Sequence, residues 1–284
     1  MSLQSLAQRL DELLDLLREL GRDQLERRDG ARARVKGDGD PATAWRRNDV
    51  VSETDLRTEA RLVTFFRRLG FRSILAEESH LRPIADDEEP VVVIDPLDGT
   101  RVYLSGDDRF GISIGVLQRG SFRFAINFYP ADAAALYAFE EERSVRDESH
   151  RPVAQASAMT TGCYLSEGFL DLLRPEYRDA ASLERQTGLT VLERPRSATF
   201  NFREMIAGRL GAYLSEDIPL WDFGPSSLLL EKTGFALSSL SGGRAIDAAA
   251  LLRGPFRLPR LAVAPRGRMP MLERALEAML PRTA

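Results

Sequence analysis

Leu3, Leu6, Leu10, Leu13, Leu17 and Leu20 recur at spacings of three and four with charged residues between them. Such spacing lines one face of a helix and predicts an amphipathic segment that packs on a core and stops near Gly21. A second helix is expected from Asp55 to about Leu69, with Leu56, Ala60, Val63, Phe66 and Leu69 on its apolar face and Gly70 as its stop. Between the two, residues 29–49 mix Gly, Asp and Arg with Pro41 and show no period, which predicts a long loop of the kind often found near active sites.

After Gly70 the pattern shortens. Residues 71–75 and 91–94 are short, largely apolar runs that read as buried strands, and 112–117, 122–128 and 134–139 continue the sheet as antiparallel neighbours. Beyond the polar stretch 140–152, short strand-like runs around Cys163 and at 189–192, 211–214, 235–237 and 261–264 alternate with helical segments near Phe169 and at 200–207, 223–233 and 270–280. Helices against a sheet followed by an alternating half read as α+β and then α/β, with a division near residue 150 into segments 1–150 and 151–284.

Composition narrows the function. With 39 Lys and Arg against 43 Asp and Glu the net charge is −4, so nothing in bulk electrostatics favours nucleic acid or an anionic membrane. Cys163 is the sole cysteine, and His80 and His150 are the only histidines, so no intrachain disulfide and no thiolate or imidazole zinc cluster can form. A metal would be held by oxygen. No apolar run approaches the ~18 residues of a membrane span, and the acidic, leucine-rich opening is unlike a secretory leader, which predicts a cytoplasmic protein.

The most informative stretch is Val91-Val92-Val93-Ile94-Asp95-Pro96-Leu97-Asp98-Gly99-Thr100, an apolar strand ending in two carboxylates and a Gly-Thr turn. Pro96 fixes its own φ and Gly99 admits conformations other residues resist, so Asp95 and Asp98 can be turned toward one point. An Asp-Pro or Asp-Gly pair alone is a common turn. Glu77-Glu78 follows residues 71–75 in the same way, and Asp222 follows Trp221 where a helix starting at Phe223 would want an N-cap. Like charges ~4 Å apart repel by ~4 kcal/mol at an effective dielectric near 20, so acids that meet in space demand cations. An all-oxygen set suits Mg²⁺, and two such ions can activate a water and stabilise the leaving oxygen of a phosphoryl transfer. An aspartyl-phosphate enzyme is disfavoured, because its motif separates the two aspartates by one residue, whereas Pro96 and Leu97 both intervene here.

Ala76-Glu77-Glu78-Ser79, the Asp95–Thr100 string and Trp221-Asp222 together resemble the three signatures of the inositol monophosphatase family, in the same order and spacing. Asp49-Val50-Val51-Ser52-Glu53-Thr54-Asp55 is similar to that family's stretch upstream of Glu-Glu, and the resemblance runs from about Asp49 to the C-terminus. It implies a layered αβαβα sandwich. It implies that Glu77, Asp95 and the Leu97 carbonyl hold one Mg²⁺, that Asp95, Asp98 and Asp222 hold a second, and that Thr100, Asp55 and Glu77 position the attacking water. The Gly99 and Thr100 amides would contact the phosphate. Relatives are commonly homodimers.

Several positions depart from the inositol-hydrolysing pattern. Arg101-Val102-Tyr103 follows the Asp-Gly-Thr core, Arg196-Ser197-Ala198 replaces a Gly-Ser/Thr-Ala element that touches substrate, and the family's inositol-binding glutamate falls on Ser215, with Glu216 and Asp217 beside it. Arg101, Arg196 and Ser197 are thus candidate substrate-binding residues, although Arg101 could equally be a surface residue paired with Asp107 or Asp108. His80 and His150 read as solvated loop residues and Cys163 as core. The expected activity is Mg²⁺-dependent hydrolysis of a small soluble phosphate ester by metal-activated water. A 3′-phosphatase for adenosine bisphosphate, a histidinol-phosphate phosphatase and a non-catalytic metal-stabilised regulatory or binding protein remain alternatives.

Overall fold

In a computed structural model of the chain, the structure describes residues 3–31, 34–35, 50–79, 84, 88–154, 160–166, 168–240 and 246–281. His80 and most of the expected loop 29–49 therefore lie outside the described residues.

The first part of the chain runs α1 (Leu3–Gln8), α2 (Leu10–Arg27), β1 (Arg34–Val35), β2 (Val50–Val51), α3 (Glu53–Arg68), β3 (Ser73–Ala76), β4 (Val91–Asp98), α4 (Thr100–Leu104), β5 (Gly111–Gln118), β6 (Ser121–Tyr129), β7 (Ala134–Phe139) and β8 (Arg146–Asp147). It continues with β9 (Gly162–Leu165), α5 (Ala180–Thr187), β10 (Thr190–Val191), α6 (Ala198–Ile206), β11 (Ala212–Pro219), α7 (Leu220–Lys232), β12 (Phe235–Ser239), α8 (Ala248–Leu252), β13 (Arg257–Pro265) and α9 (Met269–Met279).

Strands β3 to β8 form one sheet in chain order, parallel between β3 and β4 and antiparallel thereafter. A second sheet has the order β10-β9-β11-β13-β12 and is mixed. Alternation of side chains along each strand sorts the layers. Val92 and Ile94 face the leucine stripe of α1 and α2 and the Leu62, Phe65 and Phe66 face of α3. Val91 and Val93 face the opposite way, into a central core shared with α6, α7 and the Leu261 and Val263 face of the second sheet. Ala262 and Ala264 turn outward to Leu183 of α5 and Leu272 and Leu276 of α9. The result is the expected α–β–α–β–α layering.

Three helix expectations need correction. The leucine helix breaks at Arg9 and then runs through Gly21 to Arg27. Gly21 is no stop, because a Cβ there would stand 2.7 Å from Phe128 Cε1; it lets the helix approach the sheet. In α3 the buried face carries Asp55, Glu59, Leu62 and Phe66, while Leu56 is 42% exposed and Ala60 is exposed. The expected face is shifted because Asp55 and Glu59 are buried with hydrogen-bond partners, the Ser52, Glu78 and Ser79 amides. Asp222 is no N-cap: α7 begins at Leu220, capped by Pro219, and Asp222 sits within its first turn.

Candidate active site

Residues three apart on a regular strand point to opposite faces. In β4, Asp95 lies across from Ser113 and Asp98 across from Gly111, so β4 carries one residue more than β5 between the two pairs. That bulge brings Asp95 and Asp98 to the same face. Gly99 then takes φ +94°, and α4 begins at Thr100.

Both carboxylates are buried. Burial pushes the Asp95 carboxyl well above its ordinary range, and the neighbouring Glu77, Asp98 and Asp222 push it further; Glu77 also shares a hydrogen bond with it. The Leu97 amide donates to Asp95 Oδ1 at 3.0 Å. Asp98 is raised by burial and drawn back by hydrogen bonds from Thr199, Ser197 and Ala198 at the start of α6. Glu77 leaves the end of β3, its amide donating to the Ile94 carbonyl at 3.2 Å, which sets it beside β4.

Asp55 is fully buried in the first turn of α3. Its Oδ2 accepts the Ser52 amide at 3.0 Å, and its Oδ1 lies 2.9 Å from Thr100 Oγ1. The same hydroxyl lies 3.3 Å from the Leu97 carbonyl oxygen. One proton cannot serve both, and the shorter, charge-assisted partner is Asp55. The Leu97 carbonyl thereby keeps lone-pair capacity.

Two supporting residues escaped the sequence reading. Glu59, buried on α3, accepts the Glu78 amide at 2.6 Å and the Ser79 amide at 2.9 Å, and so fixes the turn that carries Glu77. Gln24, buried on α2, donates to the Pro96 carbonyl at 3.0 Å and holds the Asp95–Asp98 turn from behind. The available signal was polarity within an otherwise apolar helix face, at the i+4 position from Asp55 for Glu59 and four residues after Leu20 for Gln24.

Arg101 and Arg196 are exposed on the two turns that meet at Gly99 and Ser197. The two acids considered as partners for Arg101 also pair with other arginines, Asp107 with Arg109 and Asp108 with Arg28. Ser215 is buried on β11 and has Tyr213 as a hydrogen-bonding neighbour; Tyr213 in turn stacks on Tyr164 with centroids 4.8 Å apart. Glu216 packs under Gly168 and Asp217 pairs with Arg257, so both are engaged elsewhere. His150 is more than a solvated loop residue: its ring joins the Tyr137 hydroxyl at 2.7 Å to Asp11 of α2 at 3.0 Å. Cys163 is buried, and burial pushes its thiol up, consistent with a packing residue.

The donor chemistry at Glu77, Asp95, Asp98 and Asp222 is oxygen only, and the raising of the Asp95 carboxyl by burial and by its three acidic neighbours fits a site that takes a hard dication. Among the described residues, no three Asp, Glu, His or Cys side chains converge into a ready coordination sphere. The family model of the inositol monophosphatase family matches residues 9–275. The chain belongs to that family.

Membership makes it a phosphomonoesterase. Among curated relatives, an inositol-1-monophosphatase of Bacillus subtilis is 23% identical over 203 residues, covering 69% of this chain and 74% of its own. A Nus factor SuhB of Xylella fastidiosa is 28% identical over 204 residues, covering 70% and 72%. A solved IMPase/NADP phosphatase complexed with Mg²⁺ and phosphate superposes with a TM-score of 0.77 at 14% identity, covering 97% of this chain and 99% of that one. Family and fold agree with the layered sandwich built above.

Proposed function

We propose that this phosphomonoesterase hydrolyses a small soluble phosphate ester in the cytoplasm with Mg²⁺ held by Glu77, Asp95, the Leu97 carbonyl, Asp98 and Asp222. The observation that carries the reading is the bulge in β4, which gathers Asp95 and Asp98 on one face beside the Asp55–Thr100 pair. When bound, Mg²⁺ supplies positive charge to the phosphate and lowers the pKa of the attacking water. Asp55 accepts the Thr100 hydroxyl hydrogen bond and so leaves a lone pair on the Thr100 oxygen to accept a hydrogen bond from that water. Glu77 serves the same water as an acceptor. The Gly99 and Thr100 amides lie at the turn where the phosphate oxygens would sit, and Arg101 and Arg196 stand on the side from which the alcohol part approaches, while the substrate-binding expectation for Ser197 gives way to a buried hydroxyl turned to Asp98.

A regulatory reading finds some support in the Nus factor name of the Xylella relative. Against it stands the cost of holding several like charges together, which a protein freed from turnover has no physical reason to keep. The deciding experiment is phosphate release from inositol 1-phosphate, adenosine 3′,5′-bisphosphate, histidinol phosphate and sugar phosphates, with Mg²⁺ and with EDTA. Turnover of at least one ester that EDTA abolishes and Mg²⁺ restores is expected. Equal turnover in metal-free protein overturns the metal assignment, and no turnover of any ester favours the regulatory reading.

A further inference from the structure

The two oxygens of Asp98 are treated unequally. Oδ2 accepts the Ser197 hydroxyl at 2.8 Å, the Thr199 amide at 2.6 Å and the Thr199 hydroxyl. Among the described residues, Oδ1 accepts only the Ala198 amide, at 3.2 Å. Three donors saturate an oxygen with two lone pairs, whereas one long bond leaves Oδ1 with capacity for another partner. Asp98 can therefore offer one oxygen and not both.

Two glycines make room for this arrangement. A Cβ on Gly111, directly across the ladder from Asp98, would stand 2.8 Å from Thr199 Oγ1 and 3.1 Å from the Phe128 carbonyl oxygen. A Cβ on Gly99 would stand 2.9 Å from Ser197 Cβ. Both hydroxyls thus reach Asp98 through space that any other residue at 99 or 111 would fill. Behind them, Glu204 near the end of α6 pairs with Arg194 and Arg209, which steadies the helix that presents the donors.

The number of oxygens a carboxylate can offer separates dications by size. Mg²⁺ requires a compact octahedron and takes one oxygen from each carboxylate, while Ca²⁺ accepts six to eight ligands and readily takes both. We propose that Thr199, together with Ser197, is a metal-selecting positioning residue: by occupying Oδ2 of Asp98 it confines this carboxylate to one-oxygen coordination and biases the centre toward Mg²⁺ and against Ca²⁺. The inference rests on the reading above that Asp98 is a metal ligand.

The test is direct binding of Mg²⁺ and of Ca²⁺ to EDTA-treated, dialysed full-length protein by titration calorimetry without substrate. The double variant Ser197→Ala/Thr199→Val leaves only the Thr199 amide on Oδ2. It should shift the ratio of the two dissociation constants toward Ca²⁺ by about tenfold, a scale set by charge-assisted hydrogen bonds. Thr199→Val alone should give a smaller shift in the same direction, and Thr199→Ser should stay near the wild type. A general loosening of the site would weaken both ions alike, so an unchanged ratio in variants that fold, as judged by circular dichroism, overturns the proposal. If the double variant fails to fold, the single variants carry the comparison on the same criterion. Failure of the wild-type protein to bind either ion overturns the ligand assignment, and the selection by Thr199 falls with it.

Discussion

Gly99 and Ser197 meet so closely that a Cβ at position 99 would stand 2.9 Å from Ser197 Cβ, and Gly99 is held at φ +94°. This contact joins the strand-end turn of the first sheet to the N-cap of α6. Gly99→Ala adds both left-handed strain and the overlap, with an expected loss of ~1–3 kcal/mol. Urea unfolding measures it. Gly99→Asn relieves part of the strain but keeps the overlap; an Asn variant as stable as the wild type would show that the contact is not limiting.

Thr100→Ala removes the hydroxyl that Asp55 orients and leaves the Thr100 amide in place. The expected outcome is a fall in kcat of ~10²–10³, the usual cost of one lost transition-state contact, with inorganic phosphate inhibiting about as well as before. Thr100→Ser should retain most turnover. Parallel loss of phosphate affinity and kcat in the Ala variant would place the hydroxyl on the phosphate instead of the water.

Asp95 feels Glu77, Asp98 and Asp222 together, and in the proposed ligand set it serves both ions, so Asp95→Asn should reduce turnover more than Asp222→Asn. Its effect on the metal-free fold runs the other way. A carboxyl raised by burial and by Glu77, Asp98 and Asp222 binds its proton more tightly folded than unfolded, so it stabilises the fold at low pH. That contribution is lost as pH rises from the ordinary carboxylate range through the raised value. In EDTA the wild-type protein should lose stability across this window, and Asp95→Asn should flatten the slope. A melting temperature that rises through the window in the wild type contradicts the assignment.

Arg101 and Arg196 are exposed beside the site, and the positive charge of Arg196 reaches Tyr164, where Asp98 and Asp222 act with the opposite sign. Changing both arginines to Ala should raise KM for an ester bearing a second anionic group by tenfold or more, while inositol 1-phosphate changes little. Equal losses for both esters would assign the arginines to the scissile phosphate.

The strands were legible because the apolar runs at 91–94 and 134–139 have no competing period, and Asp95 and Asp98 were legible because they close the first of these runs. The bulge between Asp95 and Asp98 was not, since it depends on how many residues β5 spends opposite them. Asp55 and Glu59 defeated the helical pattern of α3 for a related reason. Their burial is compensated by the Ser52, Glu78 and Ser79 amides, partners that no local period reveals. Gly21 misled because a helix stop and a close approach both select for a missing side chain.

The donors that grip Asp98 lie 99 to 101 residues further along the chain. During synthesis Asp98 therefore emerges long before Ser197, Ala198 and Thr199, and the first sheet can form around an ungripped acid. Closing so long a loop is slow relative to pairing neighbouring strands. Chemical competence thus arrives with the last third of the chain, and a nascent polypeptide released before α7 would hold a nearly complete first sheet and no working centre.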